Sequence, residues 1–143
     1  MKLTFDKSQC FTVPEKLYQI LNDELANHSS PNCDTEGIIF NFRDPDYSSD
    51  NGGFHPVEIR LVKHVLAGKV QWQFEYMTDF SFQGYPFVEL TKEIDVCFRT
   101  KQVYNLYGGW LNKAAGDELI ALFLDNFISY IEMNVFTVTI NLD

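Results

Sequence analysis

Two rhythms of apolar spacing run through the chain. Val13, Leu17, Ile20, Leu21 and Leu25 recur at helical intervals and place one apolar stripe on a first helix. Thr12 followed by Glu15 has capping-box spacing, and Pro14 falls in the first turn where its missing N–H is harmless. The helix is therefore expected to start there and to end near Asn27, where a polar run through Asn32 breaks the pattern. From Glu36 the period drops to two, with Ile38, Phe40 and Phe42 alternating against Ile39, Asn41 and Arg43 as in a short strand. After a polar loop over 44–53, Val57, Ile59, Leu61 and Val65 alternate with Glu58, Arg60, Val62 and His64, and Ala67-Gly68-Lys69 supplies a hairpin connection.

The hairpin partner has Val70, Trp72, Phe74, Tyr76 and Phe80 on one parity and Gln71, Gln73, Glu75 and Asp79 on the other. Beyond a turn at Gln83-Gly84-Tyr85-Pro86, Val88, Leu90, Ile94, Val96 and Phe98 alternate with Glu89, Thr91, Glu93, Asp95, Cys97 and Arg99. Lys63 and Lys92 sit on the apolar parity, a conflict that strand ends, snorkelling stems or bulges would relieve. A short strand over 103–107 precedes Gly108-Gly109, and a helix over 114–132 follows. Its Leu119, Ile120, Phe123, Leu124, Phe127, Ile128, Tyr130 and Ile131 cover roughly half the circumference, wider than one neighbour needs. That width predicts contact with the sheet and a second surface, and hence a homo-oligomer through this helix. Phe136, Val138, Ile140 and Leu142 predict a closing strand. Helix, strands, helix, strand is segregated rather than alternating order, so the expected class is α+β: one domain over 1–143, a twisted antiparallel meander flanked by an N-terminal and a C-terminal helix.

At 143 residues with 45% hydrophobic side chains, the chain has enough material for a core without staples. Twenty acidic against eleven basic side chains give a formal charge of −9, which repels phosphate backbones and anionic lipid. Nucleic acid and membrane are therefore not expected as partners, and no apolar stretch is long enough to span a bilayer. Cys10, Cys33 and Cys97 are odd in number and widely spaced, which fits a reducing compartment, and MKLTFDKSQC lacks the apolar region of a secretory signal. A cytoplasmic location follows as the expectation.

The stretch FHPVEIRLVKH resembles a metal or acid–base fragment at its start. On a strand, however, His55 faces away from Glu58 and from His64, so these three are not expected to share an ion. Asp44, Asp46, Ser48 and Asp50 imitate a calcium loop, but counted from Asp44 the turn glycine is Ser49 and the closing glutamate is His55. Gly52-Gly53 and Gly108-Gly109 lack the lysine and the strand–helix setting of phosphate loops and read as turns. No G-x-S-x-G elbow exists, and Cys97 has no histidine at motif spacing. The sequence thus predicts no enzyme, no catalytic residue, no cofactor and no metal. What survives is the polar parity of the central strands, where Glu58, Glu75, Asp79, Glu89, Glu93 and Asp95 face only Arg60 and Arg99. If the strands are neighbours, one sheet face is anionic and suits a basic protein partner.

The runs GGFHPVEIRLVKH, WQFEYMTDFSFQGYPFVELTKEIDVCF and LYGGWLNKAAGDELIALFLDNFISYIEMNVFTVTI resemble a family of bacterial proteins of unknown function, often encoded on genomic islands. The similarity covers roughly residue 34 to the end. That family resembles in fold the mitochondrial acidic matrix proteins, which implies a twisted antiparallel sheet with terminal helices, oligomers built through helices and diverse basic partners. It implies no active residues. An acidic mimic of nucleic acid, inhibiting a DNA-binding enzyme, is the alternative in a different class. A small-molecule-binding domain is the other alternative, and it requires a deep aromatic pocket with a few convergent polar groups.

Overall fold

The computed structural model describes residues 2–28 and 31–143. Helix α1 (Glu15–Ala26) is followed by strands β1 (Gly37–Arg43), β2 (Val57–Leu66), β3 (Lys69–Gln83), β4 (Glu89–Cys97), β5 (Gln102–Asn105) and β6 (Gly109–Trp110), then helix α2 (Lys113–Glu132) and strand β7 (Thr137–Leu142). The strands form one seven-stranded sheet in the order β6-β5-β4-β3-β2-β1-β7, with every neighbouring pair antiparallel. The protein is α+β, as its element order predicts. The meander ends at one edge with β6, and β7 starts at the other edge, so α2 must cross the sheet. Its 20 residues are about 30 Å long at 1.5 Å per residue. Six inter-strand gaps of about 4.8 Å need about 29 Å. The helix length matches the sheet width.

Residues of both helices and the sheet share one core cluster. Leu17, Leu21 and Leu25 of α1, Phe40 and Phe42 of β1, Ile59 and Leu61 of β2, and Leu124 and Phe127 of α2 are all essentially without exposure. Phe42 meets Phe127 edge-on at 5.0 Å between ring centres, tying β1 to the crossing helix. The N-terminal segment closes an open stretch of sheet: β4 pairs with β3 only from Tyr76 onward, so the earlier part of β3 has a free edge. The Phe5 backbone bridges to Trp72 there, and the Gln9 amide exchanges two hydrogen bonds with the Phe74 backbone at 2.8 and 2.9 Å. No helix among the described residues is long and apolar enough to cross a membrane.

Three expectations need correction. Pro14, not Thr12, occupies the cap position of α1; its extended backbone (φ −58°, ψ 140°) has no side-chain oxygen to offer, and no side-chain cap bond forms. Gly109, expected in a turn, begins the two-residue strand β6. The alternation in β3 is not continuous either. The register with β2 shifts between Arg60 and Leu61, leaving Glu75 as an extra residue, and the register with β4 shifts between Asp79 and Phe80, leaving Glu93 extra. Each bulge exchanges the faces of the residues beyond it. Met77 is therefore buried, while Tyr76 and Phe80, expected inside, are half-buried on the other face. The second bulge turns Lys92 to solvent; Lys63 instead snorkels, its Nζ 5.9 Å from the Trp72 ring centre and donating to Cys33 O at 2.9 Å. In the wide apolar sector of α2, Ile120, Phe123, Leu124, Phe127 and Ile128 are buried, while Leu119, Tyr130 and Ile131 are half-buried. The polar run after α1 includes positions 29–30, which lie outside the described residues.

Candidate functional site

The six carboxylates expected on one sheet face occupy three places. Glu58, Glu75 and Asp95 do lie on the outer face, away from the helices, but each has a partner there. Arg60 holds Glu75 at 2.8 Å, Arg99 approaches the same carboxylate at 3.5 Å, and Lys92 is 3.7 Å from Asp95. The Tyr76 hydroxyl donates to Glu58, and the Thr78 hydroxyl donates to Asp95 at 2.8 Å. Glu89 pairs with Gln83 at the exposed end of the β3–β4 hairpin. Asp79 and Glu93 are on the opposite, helix-covered side. The continuous anionic panel is thus broken by the two bulges, and what remains of it is an ion-pair network with cations in it.

On the helix-covered side, a cavity of about 340 Å³ opens between α2 and the sheet. Leu119, Phe123, Phe127 and Tyr130 of α2 face Val57 and Ile94 of the strands, with Phe54 and Phe136 closing its sides. Its polar end is His55, Asp79 and Glu93. The loop before β2 delivers His55, the stretch of β3 beyond the first bulge turns Asp79 inward, and the second bulge adds Glu93. His55 Nδ1 lies 2.9 Å from Asp79 Oδ1 and 3.5 Å from Glu93 Oε2. Ser81 donates its hydroxyl to Glu93 Oε1 at 3.1 Å, which fixes that carboxylate from behind. The Asp79 hydrogen bond holds the His55 imidazole above its ordinary pKa, against burial, which lowers it. Burial raises the Asp79 carboxyl, and the imidazole pulls it the other way.

His55 lies in the loop before β2, outside the strand whose parity separates it from Glu58 and His64, and its ring bonds to neither. It meets two carboxylates 24 and 38 positions along the chain instead. No spacing rule joins those three residues; only the bulges do, and the lone sequence hint was Lys92 on an apolar parity. In the 44–53 loop, Asp44 accepts backbone hydrogen bonds from Asp46 at 2.9 Å and Phe54 at 3.0 Å.

A third acidic feature lies on the outward side of α2. Glu118, Asp125 and Glu132 are exposed and separated by seven residues each, so they share one stripe of the helix. Leu122 (59% exposed) lies within that stripe and Met133 (61%) at its end. Among the described residues no basic group pairs with these three carboxylates, whereas the adjacent Asp117 is held by Lys113, one turn before it, at 3.0 Å.

Residues 15–141 match the sequence profile of a family described as "Protein of unknown function (DUF2787)". A solved structure, the hypothetical protein VC0508 from the Vibrio cholerae VSP-II pathogenicity island, is 34% identical with a TM-score of 0.86, covering 99% of this chain and 100% of that one. A second, the conserved hypothetical protein VC1805 from the Vibrio cholerae pathogenicity island VPI-2, is 29% identical with a TM-score of 0.77, over 94% and 98% of the two chains. That protein is described as sharing structural homology with the human P32 protein. No curated protein sequence matches the chain.

Proposed function

We propose, from the premise that the chain belongs to the DUF2787 family of proteins of unknown function, that it is a non-enzymatic interaction protein for a basic protein partner. The observation that carries this reading is the unpaired acidic stripe of α2, with Leu122 and Met133 exposed beside it. The overall charge of −9 attracts a cationic surface from a distance. Contact then buries the exposed apolar groups between Glu118, Asp125 and Glu132, the pattern of an apolar centre within a charged rim. The outer sheet face is a poorer docking surface, because Arg60, Arg99 and Lys92 already neutralise Glu75 and Asp95.

The resemblance to the mitochondrial acidic matrix proteins supports the same class of partner. Three free thiols, Cys10, Cys33 and Cys97, support a reducing compartment and thus the cytoplasm. Self-association through Leu119 to Ile131 is not part of this reading, since the large apolar side chains there are buried or half-buried, Leu122 apart. The nucleic-acid mimic loses its support with the scatter of the six carboxylates.

A fluorescent peptide rich in Lys, Arg and Leu tests the reading by anisotropy. Its affinity is expected to fall by about tenfold or more between roughly 50 and 300 mM salt. Replacing Glu118, Asp125 and Glu132 by their amides is expected to remove most of that binding, and Glu58→Gln to leave it unchanged. Salt-independent affinity, or loss of binding only in the outer-face variant, would refute it.

A further inference from the structure

The polar end of the cavity plays no part in the partner binding proposed above. His55, Asp79 and Glu93 each offer one ligand atom there, and these atoms lie within 4.8 Å of one another. Divalent first-row metals bind imidazole nitrogen and carboxylate oxygen at about 2.0–2.2 Å, which sets adjacent donors roughly 3.0 to 3.5 Å apart in octahedral or tetrahedral geometry. The two separations from His55 Nδ1, 2.9 Å to Asp79 and 3.5 Å to Glu93, are edges of that size. We infer that His55, Asp79 and Glu93 form a site for a divalent transition-metal ion, with its remaining coordination positions open towards the cavity.

Charge supports this assignment independently of distance. Two carboxylates converge on one imidazole, Asp79 is only 8% exposed, and the residues lining the cavity include no Lys or Arg. Even with a protonated imidazole the group keeps an excess negative charge, and a carboxylate withdrawn from water without full compensation is costly. A divalent cation supplies the missing charge. One nitrogen with two oxygens suits ions from manganese to zinc, and the absence of thiolate from the set disfavours copper(I).

The supporting groups agree. Ser81 engages Glu93 Oε1 and leaves Oε2 for the ion, the kind of outer hydrogen bond that orients a ligating carboxylate. The bulge at Glu93 is the backbone device that aims this side chain. Nδ1 ligates only when it carries no proton, so affinity is expected to weaken as pH falls. Three protein donors leave the ion unsaturated beneath the apolar walls of Val57, Ile94, Phe123 and Phe127. The class of co-ligand that fits is a small molecule with one oxygen or nitrogen donor and an apolar body.

Protein stripped with a chelator and dialysed is titrated calorimetrically with zinc chloride and with manganese chloride. One ion per chain is expected, with affinity weakened at least about tenfold in His55→Gln and in Glu93→Gln, and less severely in Ser81→Ala. Circular dichroism confirms that the variants are folded. The wild type supplies a test that depends on no variant: Mn²⁺ should broaden the amide resonances of His55, Asp79 and Glu93 before those of the Asp44–Asp50 loop. Three results would each overturn the assignment. They are absence of saturable binding, equal binding in the His55 and Glu93 variants, and broadening centred on the acidic loop, which marks an adventitious ion.

Discussion

Tyr76 shows how one bulge changes what a side chain does. Parity places its ring in the core; the bulge at Glu75 turns it outward, where its hydroxyl donates to Glu58. Burial first, and then that bond to a carboxylate, raises its pKa well above the ordinary 10.0. Because the folded state keeps the proton after the unfolded chain has lost it, the associated stability is complete below the unfolded pKa and is lost as pH climbs past it. Tyr76→Phe is expected to cost about 1.5–3 kcal/mol at neutral pH, the range for a hydrogen bond to a charged group. The variant should also lose less stability than the wild type between about pH 7 and 10.5. Urea unfolding at both pH values measures this. Tyr18, also raised by burial, is present in both proteins and cancels in the comparison.

Strand β3 carries the largest gap between pattern and fold, and two truncations measure it. Met77, which alternation assigns to the polar face, is fully buried, whereas Phe80, which alternation assigns to the core, is half-buried on the outer side. Met77→Ala should cost about 2–5 kcal/mol and Phe80→Ala clearly less, compared by thermal or urea unfolding. The reverse order would show that the register shift at Glu75 does not exist in solution. The other elements were readable because single signals agree over their whole length. Hydrophobic spacing of 3.6 runs unbroken through α2, and Ile38, Phe40 and Phe42 keep one parity through β1. A bulge has no comparable signature, since one extra residue leaves local β preference intact and alters only which face follows. Lys92 was the visible symptom, and the same bulge gathered Glu93 to His55. The cluster depends on these two register shifts, so the alternation that revealed the sheet concealed the site.

The two sheet edges are joined only through α2, which carries the chain from β6 across the width of the sheet to β7. Strand β7 therefore does more than extend the sheet. It covers β1, whose Ile38, Phe40 and Phe42 are wholly buried, and Phe136 just before it packs on both Phe42 and Phe127. Asp143 closes this end, its backbone paired with Gly37 and its carboxylate 3.0 Å from Arg60. Removing residues 135–143 would leave β1 as an apolar edge strand with open hydrogen-bonding groups, a template for pairing between chains. The truncated protein is expected to aggregate, or to elute from a sizing column as large species, with its unfolding transition lost. Asp143→Asn alone removes an ion pair whose acidic side is exposed, leaves Arg60 its Glu75 partner, and should change stability by less than about 1 kcal/mol. If the truncated chain ran as a well-behaved monomer with an unchanged melting temperature, the crossing helix and not β7 would be holding β1 in place. The contrast between the two variants separates the loss of an edge strand from the loss of a terminal charge.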